Sequence, residues 1–186
     1  MRKVIVSNLM SLDGYFAGPA GEIDWFVNIA DKEFEEYAVS LMGSIDTMLF
    51  GRVTYELMEA YWPTATPATD DPRIIDAMNG FPKIVFSKTL KTAQWNNTRL
   101  VAGEATEEIV RLRSKPGKDM VVYGSGSLVA SLARRNLVDD YRIFVAPLLL
   151  GAGKPLFGEL PSRLGLKVAG TRAFSSGLVL LHYVRP

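Results

Sequence analysis

The feature that most constrains the fold is an apolar run that ends at a glycine and continues directly as a helical pattern. It occurs twice, as DTMLFG (46–51) before RVTYELMEAYW and as DMVVYG (119–124) before SLVASLARRNL. A short apolar run of this kind is typical of a buried strand, and apolar residues at three- and four-residue spacing are typical of a helix. Strand–helix–strand order requires right-handed crossovers and predicts a mainly parallel sheet.

The rest of the chain follows the same alternation. Further strands are predicted at RKVIVSNLM, KIVFS (83–87), RLVAG (99–103) and YRIFVAPLLLG, and further helices at DKEFEEYAVSLMG and EATEEIVRLRS. The final segment, LKVAGTRAFSSGLVLLHYVR, contains two alternating strands joined at 175–177, which is typical of a hairpin. The expected fold class is α/β, with a mainly parallel sheet and an antiparallel C-terminal hairpin, in one domain over residues 1–186.

Composition excludes several classes of site. The 186 residues include no cysteine and one histidine, His182, which excludes disulfides, thiolate zinc sites, cysteine nucleophiles and histidine metal clusters. A net charge of +1 gives no electrostatic basis for binding nucleic acid or a membrane surface. No apolar run approaches the roughly 18 residues that a membrane helix needs, and the N-terminus lacks the apolar region of a signal peptide. We therefore expect a cytoplasmic protein without a metal.

Ligands of parallel sheets collect at the carboxyl ends of the strands. Four places in the chain meet that description, namely Ser11–Gly14, Gly51–Arg52, Ser87–Lys88 and Gly124–Ser127. The last of them precedes a helix, whose free N–H groups and positive dipole end attract phosphate. It is neither a Gly-x-Gly-x-x-Gly fingerprint nor a P-loop, so taken alone it is also compatible with an ordinary strand-to-helix turn.

Two cations at the same sheet edge favour phosphate binding. Arg52 and Thr54 fall in the first turn of a helix, where a cation opposes the dipole and an anionic ligand would compensate. A solvated surface arginine is the alternative. Ser87 and Lys88 follow another strand. Two basic residues and two glycine turns suit a dinucleotide with an additional phosphate. In Rossmann folds that bind NAD, an acidic residue after the glycine fingerprint accepts a hydrogen bond from a ribose hydroxyl, and no such residue is seen here. NADPH is therefore favoured over NADH.

The loop SLDGYFAGPAGEIDWF leaves the first strand at this edge and combines acidic with aromatic residues. Aromatic rings can stack on a planar ligand, and a carboxylate can accept hydrogen bonds from ring nitrogens. Asp13, Asp24, Trp25 and Phe26 therefore make the loop a candidate pocket for a heterocycle. The alternatives are a plain turn at Asp13 and an N-cap at Asp24 followed by a core aromatic.

Together these motifs resemble the dihydrofolate reductase-like superfamily, and in particular the C-terminal reductase domain of bifunctional riboflavin-biosynthesis deaminase-reductases. LFGRVTYE, IVFSKTL and VVYGSGSLVASL resemble the cofactor turns of the superfamily, whereas SLDG, GEIDWF and VAPLLLGAGKPLF resemble the riboflavin branch. The resemblance covers nearly the whole chain and implies a three-layer α/β/α fold. It also implies an NADPH site formed by the following residues: Gly51, Arg52, Thr54, Ser87, Lys88, Gly124, Ser125, Gly126, Ser127 and Leu128.

The same resemblance implies where the acids of the reaction come from. Asp13 is the carboxylate expected near the nicotinamide, as a catalytic or substrate-orienting acid. The acid that folate reductases use on the pteridine would come from the helix that contains Asp31, Glu33, Glu35 and Glu36, and no motif chooses among them. The zinc deaminase half, which needs His and Cys ligands, is missing, so we expect a stand-alone reductase.

Two functions are therefore expected. The first is NADPH-dependent reduction of a pyrimidine- or pteridine-like heterocycle, of the 5-amino-6-(5-phosphoribosylamino)uracil reductase type, with Asp24, Trp25 and Phe26 at the substrate. The second is a non-catalytic NADP(H)-binding or regulatory module on the same fold; a plain structural domain would bind no nucleotide. By the same resemblance we expect a homodimer, with contacts at Pro147–Leu150 and Leu156–Phe157.

Overall fold

The computed structural model describes residues 1–26, 29–158 and 160–186. The strands are β1 (Val4–Ser11), β2 (Tyr15–Ala17), β3 (Ile45–Gly51), β4 (Lys83–Phe86), β5 (Thr98–Val101), β6 (Asp119–Val122), β7 (Asp140–Ala146), β8 (Lys154–Pro155), β9 (Lys167–Ala173) and β10 (Val179–Val184). The helices are α1 (Lys32–Ser44), α2 (Arg52–Tyr61), α3 (Pro72–Gly80), α4 (Ala105–Arg113) and α5 (Gly126–Arg134), with 3₁₀ turns at Asp24–Phe26 and Trp62–Thr64.

The main sheet has eight strands in the order β5-β4-β3-β6-β1-β7-β10-β9. The pairings from β5 to β7 are parallel, whereas β10 runs antiparallel to both β7 and β9. The predicted α/β class, with a mainly parallel sheet and an antiparallel C-terminal hairpin, is confirmed.

Helices cover both faces of the sheet, because its central strands are apolar on both sides. On one face, Leu41, Tyr55 and Ile74 from α1, α2 and α3 are buried in one core cluster with residues of β1, β3, β4 and β6. On the other face, Ile109 of α4 and Leu132 of α5 are fully buried against the same strands. Burying a side chain of this size contributes roughly 1.5–3 kcal/mol. The result is the three-layer α/β/α arrangement. Separately, no helix in the described ranges is long and apolar enough to cross a membrane.

Helix α3 and the small sheet formed by β2 and β8 were not predicted from the sequence. The signals for α3 are local, because Asp71 caps the helix by accepting a hydrogen bond from the N–H of Arg73, and Pro72 occupies the first turn. Strands β2 and β8 have three and two residues, which is too short for a hydrophobic period to be recognised.

Helix α1 is joined to the C-terminal hairpin through its capping residue. Asp31 accepts hydrogen bonds from the Phe34 N–H (2.8 Å), the Ser176 N–H (2.8 Å) and the Ser175 hydroxyl (2.9 Å). These donors favour the charged carboxylate, and the bond from Phe34 contributes most to lowering the pKa of Asp31 to about 2.

We expect Asp31→Asn to lower the melting temperature at pH 7 by a few degrees, because the neutral amide still caps α1 but loses the charge. The carboxylate stabilises the fold fully above its unfolded pKa of 3.8, and this contribution is lost as pH falls toward about 2. Melting curves of both proteins between pH 7 and pH 2 should therefore converge below pH 4. A difference in melting temperature between the two proteins that stays constant from pH 7 to pH 2 would contradict the stabilising role of the Asp31 carboxylate.

Candidate active site

The candidate site lies where β3 and β6 run side by side, because the chain leaves these two strands in different directions. After β3 it continues through α2 on one face of the sheet, and after β6 it continues through α5 on the other face. Such a switch point opens a crevice at the carboxyl ends of the strands, where α/β proteins bind ligands.

Two glycines allow the turns that follow β3 and β6 to touch. The Gly51 N–H donates to the Gly124 carbonyl at 3.0 Å, and a Cβ on Gly51 would collide with the Ser125 hydroxyl. Gly124 has φ +122°, a conformation that favours glycine, and a Cβ there would lie 2.8 Å from Thr54 Oγ1. These glycines are thus required by the packing of the two turns, whatever ligand lies beside them.

A cavity of about 350 Å³ lies beside these turns, and we call it the helix-end cavity. The first residues of three helices line it, namely Gly51 and Arg52 for α2, Glu104 and Ala105 for α4, and Ser125, Ser127 and Leu128 for α5. The first N–H groups of a helix have no partner inside the helix and carry the positive end of its dipole. Three such ends at one cavity make it a place where anions are favoured.

The helices that begin at the helix-end cavity also differ from α1 and α3 in how their N-termini are capped. Asp31 caps α1 and Asp71 caps α3, each by accepting a backbone N–H. In the described part of the chain, no side chain caps α2, α4 or α5, although Ser125 occupies the N-cap position of α5. The helices that begin at the cavity are therefore the ones whose N–H groups are left for another acceptor.

The predicted cations line this cavity, and each one is paired with a neighbouring acid. Arg52 Nη1 lies 2.9 Å from Glu56 Oε2, and Lys88 Nζ lies 2.7 Å from Glu104 Oε1. All four side chains are exposed enough for the pairs to exchange with water or with a ligand. Ser87 also lines the cavity, and its hydroxyl accepts the N–H groups of Thr89 and Leu90.

A second cavity of about 360 Å³, the central cavity, adjoins the first, and the two share Val53, Ser125 and Ser127. Predicted site residues that line the central cavity are Trp25, Phe26, Thr54, Ser125, Gly126 and Ser127, and Phe16 of the same aromatic loop also lines it. Other residues of its wall were not predicted as site residues: Ser7, Asn8, Leu9, Ala17, Gly21, Ile23, Val53, Leu57, Met58, Tyr123, Lys154 and Pro155. The two cavities form one cleft along the carboxyl edge of the sheet.

The wall of the central cavity contains two buried polar atoms that have no hydrogen-bond partner among the described residues. Asn8 is 7% exposed, and its Nδ2 donates to the Tyr123 carbonyl at 3.0 Å, which fixes the amide and leaves Oδ1 unpaired. The Trp25 Nε1–H is also buried and unpaired. A buried donor and a buried acceptor without partners are costly, and a bound polar ring could pair with both. The sequence feature that indicates a buried polar group here is the Ser7–Asn8 pair inside an apolar strand.

The structure places Asp13 outside the residues that line the two cavities. Its carboxylate accepts hydrogen bonds from the Ser11 hydroxyl (2.6 Å) and from the N–H groups of Leu150 (3.1 Å) and Gly151 (2.8 Å). The Ser11 bond is the largest contribution to the lowered pKa of Asp13. The carboxylate thus anchors the segment after β7 to the turn after β1. Its catalytic role stays a prediction that these contacts do not support.

Two other predicted positions also lie away from the cavity walls. Asp24 is exposed at the start of its 3₁₀ turn, and Gly124 lies close to Thr54 and Asn8, which line the central cavity. In the predicted dimer segment, Leu156 is fully buried in the core, whereas Leu149 and Phe157 are exposed. The homodimer stays a prediction.

Comparisons with known proteins agree with this architecture. The chain matches the RibD C-terminal domain family over residues 2–180. It is 34% identical over 182 residues to the uncharacterized protein YyaP of Bacillus subtilis (strain 168), covering 98% of this chain and 94% of YyaP. A crystal structure of a putative riboflavin biosynthesis protein from Shewanella sp. PV-4 superimposes with a TM-score of 0.82 at 27% identity, covering 99% of both chains.

A more distant neighbour shows the same fold within a longer chain. It is the diaminohydroxyphosphoribosylaminopyrimidine deaminase/5-amino-6-(5-phosphoribosylamino)uracil reductase of Thermotoga maritima, with a TM-score of 0.70 at 14% identity. The match covers all of this chain and 57% of the Thermotoga chain. With the family match over nearly its whole length, the chain belongs to the RibD C-terminal domain family.

Proposed function

We propose that the chain is an NADPH-dependent reductase of a pyrimidine- or pteridine-like heterocycle. The observation that carries this proposal is the convergence of three uncapped helix N-termini on the helix-end cavity, which continues into a cavity with aromatic walls. Family membership supports an oxidoreductase. The fold supplies the two compartments that a dinucleotide reductase needs, one for phosphates and one for the reacting rings.

In this proposal the helix-end cavity holds the phosphate groups. The N–H groups at the start of α2, α4 and α5 donate to phosphate oxygens, and Arg52 and Lys88 turn from Glu56 and Glu104 toward the ligand. Ser87 and Ser127 add hydroxyl donors. An additional phosphate on the nucleotide favours binding here, because anions are stabilised by both the helix ends and the two cations.

The central cavity holds the rings. Asn8 Oδ1 and the Trp25 Nε1–H fit a ring substituent that presents both an N–H donor and a carbonyl acceptor, such as a carboxamide or a lactam edge. Trp25 and Phe26 meet edge to face with their centroids 6.0 Å apart, and both cover the cavity. They exclude water and restrict the substrate to a plane against the sheet edge.

The bound nicotinamide would supply the hydride, which is chemistry that no side chain of this protein can perform. The chain contributes position and electrostatics: Asn8 orients a ring, Trp25 and Phe26 exclude water, and the helix ends hold the phosphates. Asp13 is a positioning residue in this proposal, because it holds the segment at Leu150 and Gly151 close to the carboxyl end of β1.

The test is oxidation of NADPH, followed by its absorbance, in the presence of a panel of pyrimidines and pteridines. We expect at least one of them to be reduced, and Phe26→Ala to slow turnover by roughly tenfold or more while NADPH still binds, because stacking and water exclusion are lost. Leu160→Ala, a truncation of an exposed apolar residue elsewhere, should leave the rate unchanged.

The outcomes separate the two expected functions. Binding of NADPH without oxidation by any member of the panel would favour the non-catalytic nucleotide-binding module. Absence of NADPH binding would contradict both, since each requires the helix-end cavity to hold phosphates.

A further inference from the structure

A third cavity, of about 220 Å³, lies between α1, α3 and the sheet, and we call it the arm cavity. It shares Ser7, Leu9, Phe26, Met58 and Tyr123 with the central cavity, so the two adjoin directly. A group attached to a ring in the central cavity would have to pass only these shared side chains to enter the arm cavity.

The arm cavity has the size and lining for one substituted ring. Its walls include the aromatic side chains of Phe26, Phe34, Tyr37, Trp62 and Phe144. A cavity of about 150 Å³ lined by apolar groups is large enough to bind benzene, so the space here admits a ring with a small substituent.

The charges around the arm cavity are negative. Glu35, Asp70 and Asp71 line it, and neither lysine nor arginine is among its described lining residues. Asp71 stays ionised because hydrogen bonds from Arg73 lower its pKa. Arg73 is the neighbouring cation, and it is divided between Asp71 (2.7 Å) and Glu36 (2.6 Å).

The other acids of α1 are used elsewhere, which leaves Glu35 as the one that lines the arm cavity in the described part of the chain. Asp31 caps α1, Glu33 accepts the Ser175 N–H, and Glu36 binds Arg73. The helix-end cavity thus combines helix N-termini with two cations that are each paired with an acid. The arm cavity combines aromatic rings with three carboxylates, one of which, Asp71, is paired with Arg73.

We propose that the arm cavity holds an aromatic arm of the substrate that carries no negative charge. This inference rests on the proposed function, and it narrows the substrate class. A phosphate or carboxylate on that arm would face Glu35, Asp70 and Asp71 in a largely apolar space, so like-charge repulsion and the loss of water both oppose its binding. A phosphoribosyl arm, like the one in the reaction named for the Thermotoga neighbour, does not match this cavity.

The experiment uses two probes that differ only in the charge of the arm, namely a pyrimidine with a benzyl arm and the same pyrimidine with a 4-carboxybenzyl arm. Each is titrated calorimetrically into the full chain, with and without NADPH. We expect the benzyl probe to bind at least tenfold more tightly. Ala38→Trp, which fills the arm cavity from α1, should weaken the benzyl probe at least tenfold and leave NADPH affinity within twofold.

A charge variant gives a second, independent readout in case the tryptophan disturbs the fold. Asp70→Asn should narrow the difference between the two probes, whereas Asp76→Asn, which makes the same charge change at an exposed position of α3, should not. Equal or tighter binding of the carboxylated probe, or failure of the benzyl probe to bind, would overturn the inference. The NADPH titration reports separately on the proposed function, so a failure of the arm-cavity inference is distinguishable from a failure of the proposed reductase function.

Discussion

Replacing Ser127 by aspartate should weaken NADPH binding by about 100-fold or more without loss of the fold. Ser127 is the second residue of α5, is exposed, and lines both the helix-end and the central cavity. A carboxylate there would occupy the place proposed for a phosphate, and like charges in contact cost several kcal/mol. A loss of 100-fold corresponds to about 2.7 kcal/mol.

The stability of Ser127→Asp should move in the opposite direction. No side chain caps α5 in the described residues, so an acid in its first turn meets the positive end of the dipole and stabilises the helix by roughly 0.3–1 kcal/mol. Calorimetric titration with NADPH and a melting curve give the two quantities. Ser40→Asp adds the same charge at an exposed position of α1 and should change the affinity for NADPH by less than twofold. Undiminished NADPH binding by Ser127→Asp would place the phosphates elsewhere.

The largest effect on stability is expected from Asp139, which joins three distant parts of the chain. Its carboxylate accepts from Arg113 of α4 (2.9 Å), from Arg185 of the C-terminal segment (2.8 Å) and from the Val4 N–H of β1 (2.9 Å). Only 12% of its side chain is exposed. Removing this carboxylate takes the charged acceptor from two guanidinium groups, which each also donate to a backbone carbonyl, and from the N–H of Val4.

We expect Asp139→Ala to lower the free energy of unfolding by about 3 kcal/mol. For a chain of this length that corresponds to a fall in melting temperature of roughly 6–12 °C. Chemical denaturation of the variant and of Asp76→Ala, an exposed acid on α3, checks the value, and the control should stay within about 0.5 kcal/mol of the native protein. A loss below 1 kcal/mol for Asp139→Ala would show that water replaces the carboxylate.

The fold and the location of the cleft were predictable because both depend on local patterns. The turns at Gly51 and Gly124 follow apolar strands directly, and the rule that ligands collect at strand ends placed Arg52, Ser87 and Lys88 together. The structure brings all three to one cavity. Elements of two or three residues, such as β8, carry too little pattern to be predicted.

Roles that depend on distant partners were not predictable. Lys83 reads as the first residue of a strand, yet it is 1% exposed and donates to the carbonyls of Asn79, Phe81 and Asn96. Asp13 was expected to be a catalytic acid; besides its bond from Ser11, it accepts the N–H groups of Leu150 and Gly151, nearly 140 positions away. The pairing of Lys88 with Glu104 depends equally on how α4 is placed beside β4. Such contacts come from tertiary packing, which no local pattern contains.

Calorimetric titration of the native chain with NADPH and, separately, with NADH tests the proposed phosphate site directly. We expect saturable binding of one NADPH per chain, with a dissociation constant for NADH at least about tenfold higher, because the additional phosphate meets the helix ends and the two cations. Equal affinity for the two nucleotides would contradict the assignment of the helix-end cavity to that phosphate. Absence of binding by either would contradict the reductase itself.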